Sequence, residues 1–119
     1  MNLIETVEYM YDDQLLVEMS NIQPKQTGLN YIVQIMSKGG AKHDPRVKVS
    51  NVLGTFHYAD NFSVTLETPA RVIGNCKIKS SELEDIKDWI ALNRKHINDV
   101  WNNNGTMSGT DIDSGIKKL

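Results

Sequence analysis

The longest regular hydrophobic pattern in the chain runs from Ser80 to Asn104 and has the period of an α-helix. Ser81 followed by Glu84 fits a capping box at its start, and 102–105 supply poor helix formers and a glycine at its end. Seven apolar residues project onto one arc of roughly 120° at ~100° per residue: Leu83, Ile86, Trp89, Ile90, Ile97, Val100 and Trp101. The pattern predicts a long amphipathic helix that packs on an apolar surface formed by the residues before it.

Two positions of this helix depart from the pattern. Asn93 falls inside the apolar arc. Because buried polar groups are nearly always paired, we expect its amide to hydrogen-bond to a loop carbonyl. The alternative is a polar contact aimed at a partner. Leu92 falls on the polar side, which hints at an interface, although single exposed leucines are ordinary.

The residues before 79 carry short runs with the period of two that is typical of β-strands. The clearest predicted strands are Leu29–Met36, Arg46–Ser50, Phe62–Glu67 and Arg71–Ile78. Residues 3–19 favour a hairpin of Val7–Tyr11 and Leu15–Met19, and a helix from Asn2 to Met19 is the alternative. Together the elements predict an α+β fold, in which an antiparallel sheet of four to six strands carries one long C-terminal helix across it.

The predicted domain organisation is a single α+β domain over 1–104, followed by a flexible polar tail over 105–119. The tail is rich in Gly, Ser, Thr and Asp and has only scattered apolar residues. Deletion of Thr106–Leu119 should therefore leave stability almost unchanged. The alternative is that Ile112, Ile116 or Leu119 docks on the body of the domain.

Length and cysteine content limit the class of protein. The chain has 119 residues and one cysteine, Cys76, which cannot form an internal disulfide. No residue near Cys76 completes a zinc-ligand spacing, and no motif indicates a cofactor. The chain contains no apolar run long enough to span a membrane and no secretory signal. These features predict a cytoplasmic protein without a metal, a cofactor or a membrane contact.

The charge of the chain is unevenly distributed. The net charge is −2, yet residues 1–24 contain five acids and no Lys or Arg. The middle of the chain is basic, and Arg46 and Lys48 lie on one face of their strand. We therefore predict a partner- or anion-binding surface on four residues, with His43 at its edge: Lys38, Lys42, Arg46 and Lys48. The competing interpretation is that Glu5, Glu8 and Glu18 neutralise this surface within the fold.

Histidines provide the only candidate catalytic chemistry. His43 and His57 lie on neighbouring segments and, if they converge with Asp44, could serve as acid and base in metal-independent RNA cleavage. The test is whether His43 and His57 meet in one concave site lined with Lys and Arg. No common nucleophile, metalloprotease or dinucleotide motif is present, so we do not expect an enzyme.

One combination of motifs extends over roughly residues 29–103. It consists of a strand with Val-Ile and a glycine, a helix with Trp-x-x-Leu, a second Trp twelve residues after the first and, more loosely, a segment before a strand. The residues of these motifs are Val72, Ile73, Trp89, Leu92 and Trp101, with His43, Asp44, Pro45 and Val47. In this combination the chain resembles a family of small bacterial and phage proteins known as domain of unknown function 4160. Arg46 and Lys48 replace the histidines of the family's strand, and Asn93 stands where its helix often has His, which argues against histidine chemistry.

The resemblance implies a setting rather than a reaction, because such proteins are often encoded beside antitoxins or in mobile elements. We therefore predict a small interaction protein that binds a macromolecular partner, as a toxin–antitoxin component or a phage inhibitor of a host defence factor. A protein partner is favoured, and nucleic acid is the second choice through the basic middle segment. The alternative function is a small ribonuclease-type toxin using His43 and His57. The oligomeric state is not fixed, and a homodimer stays open.

Overall fold

The structure is a computed structural model that describes residues 19–103 and 106–119. Its strands are β1 (Met19–Ile22), β2 (Val33–Met36), β3 (Arg46–Ser50), β4 (Asn61–Thr65) and β5 (Val72–Gly74). Its helices are α1 (Pro24–Thr27), α2 (Ser80–Asn102) and α3 (Gly109–Ser114). The predicted N-terminal hairpin lies outside the described residues, except for Met19.

The five strands form one antiparallel sheet in which each strand pairs with the next along the chain, in the order β1-β2-β3-β4-β5. Val49 pairs with Val33 on one side and with Phe62 on the other. Directly paired residues share a face of the sheet, so these side chains form one apolar layer. The α+β prediction, with an antiparallel sheet of four to six strands, is confirmed.

Helix α2 covers this apolar layer with the face that the periodicity predicted. Leu83 is half-buried against the core, and Trp89 is completely buried. The buried residues of α2 are Ile86, Trp89, Ile90, Asn93, Ile97, Val100 and Trp101. The apolar side chains of α2 and of one face of the sheet pack against each other and form a single hydrophobic core.

Both ends of α2 differ in detail from the prediction. The helix begins at Ser80, and the Glu82 carboxylate accepts a hydrogen bond from the backbone N–H of Lys79 at 3.3 Å. The predicted capping box at Ser81 and Glu84 is therefore displaced by two residues toward the N-terminus. At the other end, the helix ends at Asn102, Asn103 is extended with φ −72°, and its N–H donates to the carbonyl of Val100. The glycine at 105, which was predicted to end the helix, lies outside the described residues.

Three of the predicted strands are shorter in the structure because turns replace their ends. Leu29–Met36 is strand only over Val33–Met36, since Gly28 adopts a φ of 83° at the end of α1 and Leu29 N–H donates to the Thr27 hydroxyl at 2.9 Å. Phe62–Glu67 is strand over Asn61–Thr65, and Arg71–Ile78 is strand over Val72–Gly74. Arg46–Ser50 has the predicted bounds.

The C-terminal segment differs most from the expectation of a loose polar tail. Ile112 of α3 is 1% exposed and belongs to the hydrophobic core. The Asn93 amide donates to the carbonyl of Lys117 at 3.0 Å and accepts from its N–H at 2.7 Å. The Trp89 indole N–H donates to the same carbonyl at 3.1 Å. The segment thus lies against α2, and Asn93 bonds to a loop carbonyl as expected.

Candidate functional site

The basic residues of the middle segment fall into two groups. Lys38 and Lys42 are exposed on the loop between β2 and β3, and the Lys38 N–H donates to the carbonyl of Trp101 at 2.7 Å. The His43 ring lies 5.4 Å from the Trp101 ring, centre to centre. This loop therefore contacts the C-terminal end of α2, where the helix dipole favours positive charge.

Arg46 and Lys48 lie on the opposite face of the sheet. The alternating Val47 and Val49 are completely buried in the core under α2, so their neighbours point the other way. Both cations are half-buried there. The four basic residues were predicted to line one surface, but they consequently lie in two separate places.

The two candidate catalytic histidines do not meet. His43 precedes β3 and contacts Trp101, whereas the N–H of His57 donates to the Ser50 hydroxyl at the far end of β3. A five-residue strand is about 13 Å long at ~3.3 Å per residue. Asp44 stays beside His43, whose Nδ1 lies 3.0 Å from its carbonyl oxygen. The site required by the ribonuclease alternative is therefore not assembled.

The loop between β3 and β4, residues 51–60, carries two strongly exposed apolar side chains. Tyr58 is 75% exposed and Leu53 is 64% exposed, which makes them the two most exposed large hydrophobic side chains in the described residues. Phe56 of the same loop is buried and contacts the Tyr58 ring edge-on, with ring centres 5.3 Å apart. The loop thus has an apolar anchor inside and two apolar side chains outside.

Side-chain hydrogen bonds fix the backbone of this loop at its two ends. The Ser50 hydroxyl accepts from the N–H of Val52 at 3.1 Å and donates to the carbonyl of Thr55 at 2.8 Å. The Asn61 amide donates to the carbonyls of His57 and Tyr58 at 3.0 Å each. The exposed side chains of Leu53 and Tyr58 therefore project from a backbone that hydrogen bonds hold in place.

Asn51 attaches the loop to the segment that follows β5. Its amide donates to the Asp60 carboxylate at 3.0 Å and to the carbonyl of Asn75 at 2.9 Å, and its oxygen accepts from the N–H of Lys77 at 2.9 Å. The Lys77 ammonium also lies 3.0 Å from Asp60. The pKa of Asp60 lies below its ordinary value because its carboxylate accepts hydrogen bonds, chiefly from the Lys77 side chain and secondly from the Asn51 amide.

A shallow cleft of about 260 Å³ lies between α2 and the C-terminal segment. Leu92, which is 44% exposed, forms its apolar side, and Lys95, His96 and Lys117 contribute polar groups. His96 Nε2 lies 2.7 Å from the carbonyl oxygen of Ile112. The ring occupies the space beside Gly115, where any Cβ would overlap it. The His96 ring therefore serves to hold the C-terminal segment in place.

Comparisons of the chain with protein-family models, with curated proteins and with solved structures give no match. The resemblance to the domain of unknown function 4160 family accordingly stays a prediction. Over residues 19–103 and 106–119, no helix combines the length and the apolar character needed to cross a membrane. In the same ranges, no three His, Cys, Asp or Glu side chains are grouped so that they could hold a metal ion.

Leu53 and Tyr58 were not predicted as functional residues. Ser50, Asn51 and Asn61 flank the loop with side chains that commonly bond to nearby backbone groups. That pattern was the available signal that the loop is ordered, but exposure depends on which aromatic residue turns inward.

Proposed function

We propose that this protein is a binding module that engages a protein partner through the β3–β4 loop, with Tyr58 and Leu53 as its anchor residues. The supporting observation is that the two most exposed large apolar side chains of the described chain share one loop whose backbone is held by hydrogen bonds. Either side chain alone would be unremarkable on a protein surface.

An ordered loop lowers the entropic cost of association. Binding is weakened by the entropy lost when loops and side chains become ordered, and a loop that is already fixed avoids much of that loss. Tyrosine buries a large area with only two rotatable side-chain bonds, and it is enriched among residues that dominate binding energy. Tyr58 has 75% of its surface available for a partner.

We further propose the setting that the family resemblance implies. The protein would act in the cytoplasm as a toxin–antitoxin component or as a phage inhibitor of a host defence factor, by occupying a surface of its partner. No observation favours the ribonuclease alternative, because His43 and His57 lie near opposite ends of β3. We therefore propose binding rather than catalysis.

Site-specific crosslinking tests this proposal. A photoreactive benzoylphenylalanine is placed at position 58 and, as a matched control, at position 92, where an exposed leucine lies on a different surface. We expect one protein to crosslink at position 58 and not at position 92, and its purified form to bind the unmodified protein directly. Equal crosslinking at both positions, or none at position 58, would contradict the proposal.

A further inference from the structure

The face of the sheet opposite α2 carries a group of four hydrogen-bond donors on two adjacent strands. Arg46 of β3 pairs with Thr65 of β4, and Lys48 pairs with Ser63. Paired residues share a face, so two cations lie beside two hydroxyls. We call these residues the donor patch. Ser63 is 9% exposed and Thr65 is completely buried, so both hydroxyls are largely removed from solvent.

The donor patch contains no carboxylate. The Arg46 Nε is buried and has no hydrogen-bond partner. Within the part of the chain that the structure describes, the ion pairs within 4.0 Å involve other lysines and arginines and leave both Arg46 and Lys48 without a carboxylate. The Thr65 hydroxyl accepts from the N–H of Arg71 at 2.8 Å, which leaves its own hydrogen to donate. The patch therefore has two cations without a carboxylate partner among the described residues.

This arrangement is physically incomplete as it stands. More than nine-tenths of buried polar groups in native proteins are paired, and a desolvated charge without a counter-charge is costly. A carboxylate suits such a patch, because its two oxygens can accept from the guanidinium of Arg46 and the ammonium of Lys48, whose side chains are only half-buried. We propose that the donor patch binds a carboxylate of an acidic protein segment.

The number and position of the cations favour a carboxylate over a nucleic-acid backbone. Binding to a polyanion draws its strength from many neutralised phosphates along a charged stripe. The patch has only Arg46 and Lys48, since Lys38 and Lys42 lie on a loop at the other face, against the end of α2. The neighbouring Gln34 donates its amide to Asn21 at 3.0 Å and adds no charge.

This inference does not depend on the proposed function, because the donor patch and the β3–β4 loop are separate surfaces. Its test is a titration followed by nuclear magnetic resonance, with hexaglutamate peptide and a single-stranded RNA oligonucleotide as probes at matched ionic strength. We expect the peptide to shift the signals of the Arg46 Nε–H and of the Ser63 and Thr65 amides. A response to RNA without a response to the peptide would overturn the carboxylate assignment.

Paired double variants distinguish a built site from general attraction. Arg46→Gln with Lys48→Gln should weaken peptide binding at least tenfold, whereas Lys38→Gln with Lys42→Gln, which removes the same charge elsewhere, should leave it unchanged. Equal weakening in both would overturn the proposal. If the first variant does not fold, Ser63→Ala replaces it, and an expected loss of roughly tenfold supports the site, while unchanged affinity overturns it.

A last variant tests the chain's own acids as the source of the carboxylate. Glu5, Glu8 and Glu18, the residues of the competing interpretation, lie outside the described residues. If the unaltered protein does not respond to hexaglutamate but the Glu5→Gln, Glu8→Gln, Glu18→Gln variant does, the partner is intramolecular and the proposed site for another protein is overturned. If neither protein responds, the donor patch does not bind carboxylates.

Discussion

Replacement of Ile112 by Ala tests whether the C-terminal segment is part of the hydrophobic core. Ile112 is 1% exposed and lies in α3, whose first turn is capped by the Ser108 hydroxyl accepting from Asp111 N–H at 3.1 Å. The carbonyl of Ile112 bonds to His96, and its side chain joins the core cluster that contains Trp89 and Ile97. The substitution removes three carbon atoms from this environment.

The expected cost follows from the burial of the side chain. Truncating a fully buried isoleucine to alanine typically destabilises a protein by about 2–5 kcal/mol, through lost transfer energy and the cavity that remains. For a domain of this size, each kcal/mol lowers the melting temperature by roughly 4 °C. We therefore expect Ile112→Ala to melt roughly 8–20 °C below the unaltered protein.

The assay is chemical and thermal unfolding followed by circular dichroism. Thr110→Ala is the matched control, because Thr110 is an exposed residue of the same short helix, and it should change stability by less than about 0.5 kcal/mol. Deletion of residues 106–119 should cost at least as much as Ile112→Ala. If Ile112→Ala and Thr110→Ala unfold together with the unaltered protein, the segment does not dock and the expectation of a flexible tail was right.

Three further predictions concern the core and two titrating groups. Trp89→Ala should destabilise the protein by about 3–5 kcal/mol, because the side chain is completely buried, and an unfolding midpoint that hardly moves would contradict its placement. The pKa of Asp60 is lowered chiefly by Lys77, so this pair stabilises the fold at neutral pH and the contribution is lost as the pH falls below about 4; Lys77→Gln should raise the pKa of Asp60 in a carbon NMR titration, and an unchanged value would show that the pair is absent. Burial and the Glu82 carboxylate raise the pKa of Tyr31, so the fold favours the neutral phenol and stability falls as the pH rises from about 10, the ordinary tyrosine value, through the raised one; Glu82→Gln should lower the pKa of Tyr31, and no change would remove Glu82 as a cause.

The period of the hydrophobic pattern predicted those elements that bury one face against a single large surface of the fold. The prediction of the buried face of α2 was correct because a long helix on a sheet has one buried face. The predicted bounds of the strand Arg46–Ser50 were correct because its side chains alternate between the core and the opposite face of the sheet. The β5 strand was overestimated because Gly74 adopts a φ of 102° and ends the regular pairing. Local backbone geometry of this kind is not contained in a hydrophobic pattern.

Features that depend on where a loop folds could not be predicted from the pattern. Ile112 is one apolar residue in a polar segment, and its burial requires the surface that α2 presents. Lys42 was expected beside Lys48, but the loop before β3 turns toward Trp101 at the end of α2. His43 and His57 are close in sequence, yet β3 runs between them and separates them.

The hydrogen bonding of Asn93 could be predicted from the hydrophobic pattern of the helix. A polar residue in an apolar arc requires partners, and the expected carbonyl partner is present at Lys117. The chemistry of the pairing could be predicted because it follows from burial. The identity of the partner could not, because it lies in the segment that the composition assigned to a loose tail.

The measurement that tests the central claim most directly is the affinity of the crosslinked partner, once purified, for Tyr58→Ala compared with Leu92→Ala by titration calorimetry. Both variants truncate an exposed side chain, so both should stay folded, with only a small decrease in the melting temperature of Tyr58→Ala from its lost contact with Phe56. If the β3–β4 loop is the interface, Tyr58→Ala should weaken binding by about 30-fold or more, as expected for a dominant tyrosine, and Leu92→Ala should have no effect. Equal affinities of the two variants would contradict the proposed function.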